Sequence, residues 1–270
     1  MAETDSVFSG SIPEIYDTYL VPLIFDGYAR DIANRVAARD PRSVLETAAG
    51  SGVVSRALLP MLDSEARYVI TDLNQQMIDR AMDRLPPDDR VSWQQSDALQ
   101  LPFGDEVFDI VCCQFGVMFF PNRVTGFREA RRVLAEGGAF VFNSWDRIEH
   151  NEFAEVVTQA ASALFPADPP VFMARTPHGY HDTAVINADL RAAGFETIKI
   201  DTITDTSRAA SPRDAALAFC QGTPLRNELE ARDADGLERV TDAVEVALRQ
   251  RFGDGPIEGK IQGHVVVASG

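Results

Sequence analysis

The sequence predicts an α/β protein built on a doubly wound, mostly parallel sheet. Three observations carry this. Apolar stretches of strand length alternate with helix-length segments between residues 43 and 145. One of the strands, "FDIVCCQFG" (108–116), is a continuous apolar run but for Asp109 and Gln114, as expected of a strand covered on both faces. The first strand–helix junction, "SVLETAAGSGVVSRAL" (43–58), turns on glycines, as junctions that cradle a small cofactor do.

The elements follow in order. Residues 12–38 read as one or two amphipathic helices punctuated by Pro22 and Gly27, ended by Asp40-Pro41. "SVLET" (43–47) is a strand and "VVSRALLPML" (53–62) a helix. "ARYVITDL" (66–73) is a strand, and "NQQMIDRAMDRL" (74–85) a helix with Asn74 at its N-cap. "VSWQQSD" (91–97) is the third strand and 108–116 the fourth. "NRVTGFREARRVLA" (122–135) is a helix closed by Gly137-Gly138, and "AFVFNSW" (139–145) the fifth strand. After Trp145 the rhythm breaks. A helix, "NEFAEVVTQAASALF", leads to an irregular Pro-rich piece over 166–182. A helix (183–194) and a strand (195–204) follow, then two helices within 211–252 and a final strand in "KIQGHVVVAS".

Composition narrows the function classes. Hydrophobic residues make up 45% of the 270, as in ordinary folded proteins. The net charge of -16 opposes a phosphate backbone and an anionic lipid surface, so neither nucleic acid nor membrane is expected as a partner. The start lacks the charged and apolar regions of a signal peptide, and no apolar run has the length of a membrane span. Three cysteines, two of them adjacent (Cys112, Cys113), make no disulfide framework and read as small buried hydrophobes. A reduced, cytoplasmic setting is expected.

The glycine turn, Gly50-Ser51-Gly52-Val53-Val54-Ser55, lacks the third glycine of the dinucleotide fingerprint. Glu46 ends the strand before it, which is awkward for a pyrophosphate and suits a cofactor with a cationic end. Asp72 ends the second strand, where it could accept hydrogen bonds from both hydroxyls of a ribose. Asp97 ends the third and could accept from an exocyclic amine. Three acids at three successive strand ends describe a nucleoside with a positively charged or amino-acid tail. No P-loop is present.

"VLETAAGSG", "ITDLNQQM", "QQSDALQLPF", "FDIVCCQFGVMFF" and "REARRVLAEGGAFVF" together resemble the successive motifs of class I S-adenosylmethionine-dependent methyltransferases. The small-molecule group that includes the ubiquinone and menaquinone biosynthesis enzymes is the most similar in flavour. The likeness is strong over about residues 15–145. It implies a Rossmann-like, seven-stranded, mostly parallel sheet with the last strand antiparallel, plus helical lid insertions. It implies a single methyltransferase domain over 1–270. Within it, 1–40 form a helical cap, 41–145 the cofactor core, 146–182 and 205–257 lid insertions, and 183–204 with 258–270 the rest of the sheet. The implied cofactor is S-adenosylmethionine, leaving as S-adenosylhomocysteine (SAH).

The same resemblance assigns residue roles. Glu46 lies near the methionyl amino group, and the backbone at Ala48, Gly50 and Gly52 passes under the methionine and ribose. Asp72 holds the ribose hydroxyls, with Leu73 and Met77 against the adenine. Asp97 and Ala98 recognise the adenine edge. Gln114 and Phe115 line the methionine side and the substrate mouth, and Tyr19 in the N-terminal helix folds over the cofactor. Two positions depart from the pattern. Ala48 replaces the first glycine of the turn, tolerable where φ is negative. Glu136 stands where a proline commonly precedes Gly137-Gly138.

No metal is expected: His178-x-x-His181 has no carboxylate or cysteine set to complete a site. His178 and His181, in "RTPHGYHD", are the candidates for taking a proton from an acceptor hydroxyl. Aromatic and apolar residues such as Phe115, Phe119, Phe120, Phe153, Phe172 and Met173 suit a small, partly apolar or aromatic acceptor, or simply a core. The expected activity is in-line methyl transfer to such an acceptor. The alternatives are a cofactor-binding sensor or accessory protein without turnover and a nicotinamide-dependent dehydrogenase. The N-terminal helices could mediate a homodimer.

Overall fold

The computed structural model describes residue 5 and residues 10–270. Of the expected cap over 1–40, residues 1–4 and 6–9 lie outside the described residues. Seven strands form one sheet: β1 (Ser43–Glu46), β2 (Arg67–Asp72), β3 (Val91–Gln95), β4 (Phe108–Gln114), β5 (Leu134–Trp145), β6 (Thr197–Ala209) and β7 (Ile257–Ser269), in the order β3-β2-β1-β4-β5-β7-β6. β1 pairs in parallel with β2 and with β4, β2 with β3, and β4 with β5. The last strand runs antiparallel between β5 and β6. The Thr202 hydroxyl meets His264 Nδ1 across the two strands at 3.0 Å, and just before β6 Glu196 N donates to Ser269 O at 3.0 Å.

The winding reverses between β1 and β4, because β2 and β3 extend the sheet one way and β4 and β5 the other. In such a sheet the helices after adjacent strands leave on opposite faces, so a crevice opens beyond their carboxyl ends. β4 is buried at Phe108 and from Ile110 to Cys113, which explains its apolar run. Cys112 and Cys113 are part of that core, and burial pushes the Cys113 thiol up to about 12.

The chain divides into two compact units. One comprises Gly27–Ser144, Tyr180–Ile203 and Gly263–Gly270. It contains β1–β4 and the helices α3 (Val53–Leu58), α4 (Gln75–Arg84), α5 (Arg123–Val133) and α8 (Thr183–Ala193). α5 packs on α8. Asn122 and Asp182 cap these two helices by accepting from Thr125 N (3.1 Å) and Ala184 N (2.8 Å).

The other unit comprises residues up to Asp26, Trp145–Gly179 and Thr204–Gln262. It is largely helical: α6 (Glu152–Leu164), α7 (Phe172–Arg175), α9 (Pro212–Gln221), α10 (Leu225–Arg232) and α11 (Leu237–Phe252). α11 packs on α6 and α9, and α9 on the helix over Tyr16–Phe25. That helix is wound as a π-helix around Pro22. A proline inside an α-helix lacks a donor and crowds the preceding turn, and the wider winding makes room for it. Phe153, Phe172 and Met173 are buried within this unit, Phe153 edge-on to Phe252 at 4.9 Å. They are core, the second of the two roles open to them from sequence.

Several local expectations differ from the structure. The helix ending at Val133 passes directly into β5 at Leu134, so Gly137-Gly138 lie within the strand, beside a register shift opposite Phe108–Ile110. Gly137 takes a positive φ of 78° there. The 211–252 segment forms three helices, because Thr223-Pro224 and Gly236 break it twice. Asn74 stands at the N-cap of α4 without a side-chain capping bond. No helix among the described residues is long and apolar enough to cross a membrane.

Candidate cofactor site

The site builds outward from β1. Glu46 is the last residue of the strand and is 1% exposed. Its Oε2 accepts from Ser55 Oγ at 2.6 Å and from the Tyr68 hydroxyl, while its Oε1 is buried without a partner. Burial pushes the carboxyl up to about 7 against the pull of these two donors, and the charge of Asp72 adds to the rise. The chain then turns. Thr47 N donates to Cys112 O at 2.9 Å, tying the turn to β4, and Ala49 N donates to Thr71 O at 3.0 Å, tying it to β2.

The turn is left-handed at Ala48 (φ 51°), Gly50 (φ 57°) and Gly52 (φ 76°). Glycine adopts this conformation freely, whereas an alanine there costs about 1–2 kcal/mol. The negative φ that would make Ala48 harmless is therefore not what the chain adopts. Ala48 is held by its neighbours: a Cβ on Gly116 would lie 2.5 Å from the Ala48 Cβ and 2.7 Å from Cys113 Sγ. Gly116 leaves the space that the Ala48 methyl occupies. Gly52 is equally constrained, since a side chain there would meet Ala81 Cβ at 3.0 Å.

Asp72 ends β2, 6% exposed. Its Oδ2 accepts from Gly50 N and its Oδ1 from Asn74 N, both at 2.8 Å. Each oxygen keeps a lone pair, so the carboxylate that shapes the glycine turn can still accept from a ligand's hydroxyls. Burial raises its pKa, and the backbone donors hold that rise back. Next to it Leu73 is 50% exposed, an apolar side chain presented at a strand end, while Met77 is buried one turn into α4.

β3 stops at Gln95, two residues before the expected end. Asp97 therefore sits in the following loop, exposed, with Oδ1 accepting from Leu99 N at 2.9 Å, and Ala98 is half-buried beside it. At the end of β4, Gln114 is half-buried and Phe115 buried with a left-handed φ of 48°. Asn143 of β5, paired with Gln114 in the sheet, accepts from Phe115 N at 2.7 Å. It is fully buried and its Nδ2 has no partner. Asn143, Ser55 and Tyr68 are participants that the sequence reading did not single out. Asn143 had a signal, a lone amide closing the apolar run "AFVF".

Four buried side-chain atoms without partners lie at these strand ends: Glu46 Oε1, Ser51 Oγ, Ser96 Oγ and Asn143 Nδ2. Each such atom costs about 1–3 kcal/mol. Their occurrence along the sheet edge that also holds the left-handed Ala48 and Phe115 fits a site kept for a polar ligand. The buried carboxylates of Glu46 and Asp72 fit the cationic and hydroxyl-bearing groups of S-adenosylmethionine and oppose a pyrophosphate.

The remaining candidates lie elsewhere. Tyr19 is half-buried in the π-helical segment, and His178 belongs to the same helical unit. His178 is 4% exposed, with Nδ1 donating to Asp146 O at 2.8 Å. His181 belongs to the sheet unit and is half-buried. The described residues contain no group of three or more metal-type ligands.

Comparisons with known proteins point to methyltransferases. The methyltransferase domain family matches residues 45–142, from β1 to within β5. A demethylmenaquinone methyltransferase from Clavibacter sepedonicus is 28% identical over 193 residues, covering 64% of this chain and 78% of that protein. A putative methyltransferase from Bacillus halodurans shares the fold with a TM-score of 0.59 at 21% identity, over 88% of this chain and 97% of the other. A trans-methyltransferase solved in complex with SAH shares it with a TM-score of 0.53 at 19% identity, over 70% and 56% of the two chains.

Proposed function

We propose that this chain, a class I S-adenosylmethionine-dependent methyltransferase, passes the methyl group to a small, partly apolar or aromatic acceptor. The observation that carries the assignment of the cofactor site is the pair of buried acids, Glu46 and Asp72, at the ends of neighbouring parallel strands, with one Glu46 oxygen unpaired. The demethylmenaquinone named for the Clavibacter relative supports an acceptor of this class.

When bound, the cofactor supplies a methyl group on a sulfonium, already attached to a good leaving group. The chain's own work is to bind, orient and exclude water. Asp72 would accept from the ribose hydroxyls while its hold on Gly50 N keeps the turn in shape. Leu73 and Met77 would offer apolar surface to the adenine, with Asp97 and Ala98 at its polar edge. Glu46 would face the methionyl ammonium, and Ala48, Gly50 and Gly52 would bring the backbone close beneath it. Gln114 and Phe115, braced by Asn143, would wall the methionine end. Tyr19 over the cofactor and the lid role of the cap and the 146–182 and 205–257 insertions are part of this proposal, tested by Tyr19→Phe in the cofactor titration.

His178 and His181 are the candidates for receiving the acceptor's proton. Their alanine variants should leave cofactor affinity within about twofold and lower turnover. Loss of cofactor binding in either variant would remove it from that role.

The test is calorimetric titration with S-adenosylmethionine, SAH and NAD in parallel, followed by product detection with phenolic and quinol acceptors. Micromolar binding of the first two with no response to NAD is expected. Binding of NAD alone would overturn the site, and tight cofactor binding without any methylated product would favour a sensor over an enzyme.

A further inference from the structure

Glu46 carries donors on one oxygen and none on the other. It is sealed from water, so nothing except a neighbouring group can stabilise its charge. The groups that face it can be named from each packed element. β2 contributes Tyr68 and Asp72, α3 contributes Ser55 and Arg56, and β4 contributes Cys112 and Cys113. Burial pushes Tyr68 and both thiols well up, so they stay neutral around pH 7. Asp72 opposes the Glu46 charge, and Arg56, whose guanidinium is bound to Ser51 O at 2.6 Å, favours it. These opposing influences leave the carboxyl divided between its two forms near neutrality, at about 7.

A cation arriving at the strand end changes that balance. Its field favours the carboxylate whether it touches Oε1 directly or acts through a water. We propose that capture of S-adenosylmethionine expels the proton of the Glu46 carboxyl, so that cofactor affinity rises as pH passes upward through neutrality. The O–H bond of the carboxyl breaks, its electron pair stays on the oxygen as the carboxylate, and the proton leaves to the buffer. This rests on the reading of Glu46 as the neighbour of the methionyl ammonium.

The sign follows from the two states. Below neutrality the free protein holds the proton and must lose it on binding, which weakens apparent affinity. From about pH 7 upward the cofactor's own amino group loses its charge, half of it by about pH 8, and affinity falls again. The wild-type profile is therefore bell-shaped, and only its acid limb belongs to Glu46.

The experiment is calorimetric titration of the full chain with S-adenosylmethionine in buffers of different ionisation enthalpy. At pH 6.5 about three-quarters of a proton should be released per cofactor, and affinity should rise about fivefold between pH 6 and 7. Glu46→Gln should release no proton and lose the acid limb while keeping the alkaline one. Tyr68→Phe removes a donor to the carboxylate and should move the acid limb to higher pH. Wild-type binding without proton release, or release that persists in Glu46→Gln, overturns the proposal. If Glu46→Gln does not fold, an unmoved acid limb in Tyr68→Phe overturns it instead. Failure of the wild-type protein to bind the cofactor at any pH removes the underlying site reading as well.

Discussion

Glu46 and Asp146 are both buried acids at or just past the carboxyl end of a strand, one in each unit, and their surroundings differ in kind. Asp146 is fully engaged. Its Oδ1 accepts from Arg147 N at 2.7 Å, and its Oδ2 from Gln262 Nε2 at 2.6 Å and His150 Nδ1 at 2.8 Å. Its carbonyl accepts from His178 and Asn151. Asp5 in the same unit is held likewise, by Arg175 and Thr176. Glu46 has donors on one oxygen only, and Ser51 and Asn143 near it also keep unpaired atoms. A buried polar group with all its bonds made fixes structure. One with bonds left open costs stability, and a fold keeps it where a ligand completes it.

The largest expected effect tests the fully paired side. Asp146→Ala should cost about 3 kcal/mol or more of stability, read from chemical denaturation, because it leaves Arg147 N and Gln262 Nε2 without their acceptor. Cofactor affinity should stay within about twofold. A large loss of affinity at unchanged stability would erase the contrast between the two acids.

The half-paired acid gives the next effect. With its pKa raised to about 7 in the folded protein, Glu46 stabilises the cofactor-free chain most fully at or below about pH 4.5. That contribution, about 3 kcal/mol, is lost as pH rises through 7. In Glu46→Gln this part of the pH dependence should vanish. Identical profiles for the variant and the wild type would show that the carboxyl is not strained by burial.

Asp72→Ala should weaken cofactor binding by about 1.5–3 kcal/mol, tenfold or more, since bonds to a charged acceptor are lost. The glycine turn would also lose its anchor at Gly50 N. An affinity within threefold of wild type would sink the role of the second strand end. The smallest effect sharpens the picture of strain. Ala48→Gly relieves a left-handed alanine and should stabilise the chain by up to about 1 kcal/mol, offset in part by the entropy of glycine. Destabilisation would mean that the methyl packed beside Gly116 matters more than the strain.

Much of the cofactor half was legible in sequence because its determinants are local. A strand buried on both faces carries an apolar run, as Ile110 to Cys113 do, so β4 announced itself. Glu46 and Asp72 stand at strand ends because the strand, the turn and the acid are consecutive residues. Asp97 was also visible, but β3 ends at Gln95 and leaves it in a loop, since pairing with β2 extends only to Asp72 opposite Gln95. The helix–strand junction at Leu134 misled the reading for the opposite reason. Gly137-Gly138 looked like a helix stop, yet pairing of the following residues with β4 drew the strand back to Leu134.

The residues alone imply the alternation of elements, a mostly parallel sheet, the acids at its strand ends and the class of cofactor those acids suit. Each depends on residues close together in the chain. Only the tertiary structure decided which buried groups are satisfied and which are left open, that Ala48 and Phe115 are held left-handed, and that Asn143 braces the latter. Those facts depend on partners between 9 and 68 residues apart, as from Glu46 to Ser55 and from Ala48 to Gly116, and hydrogen-bond satisfaction is a property of the packed interior.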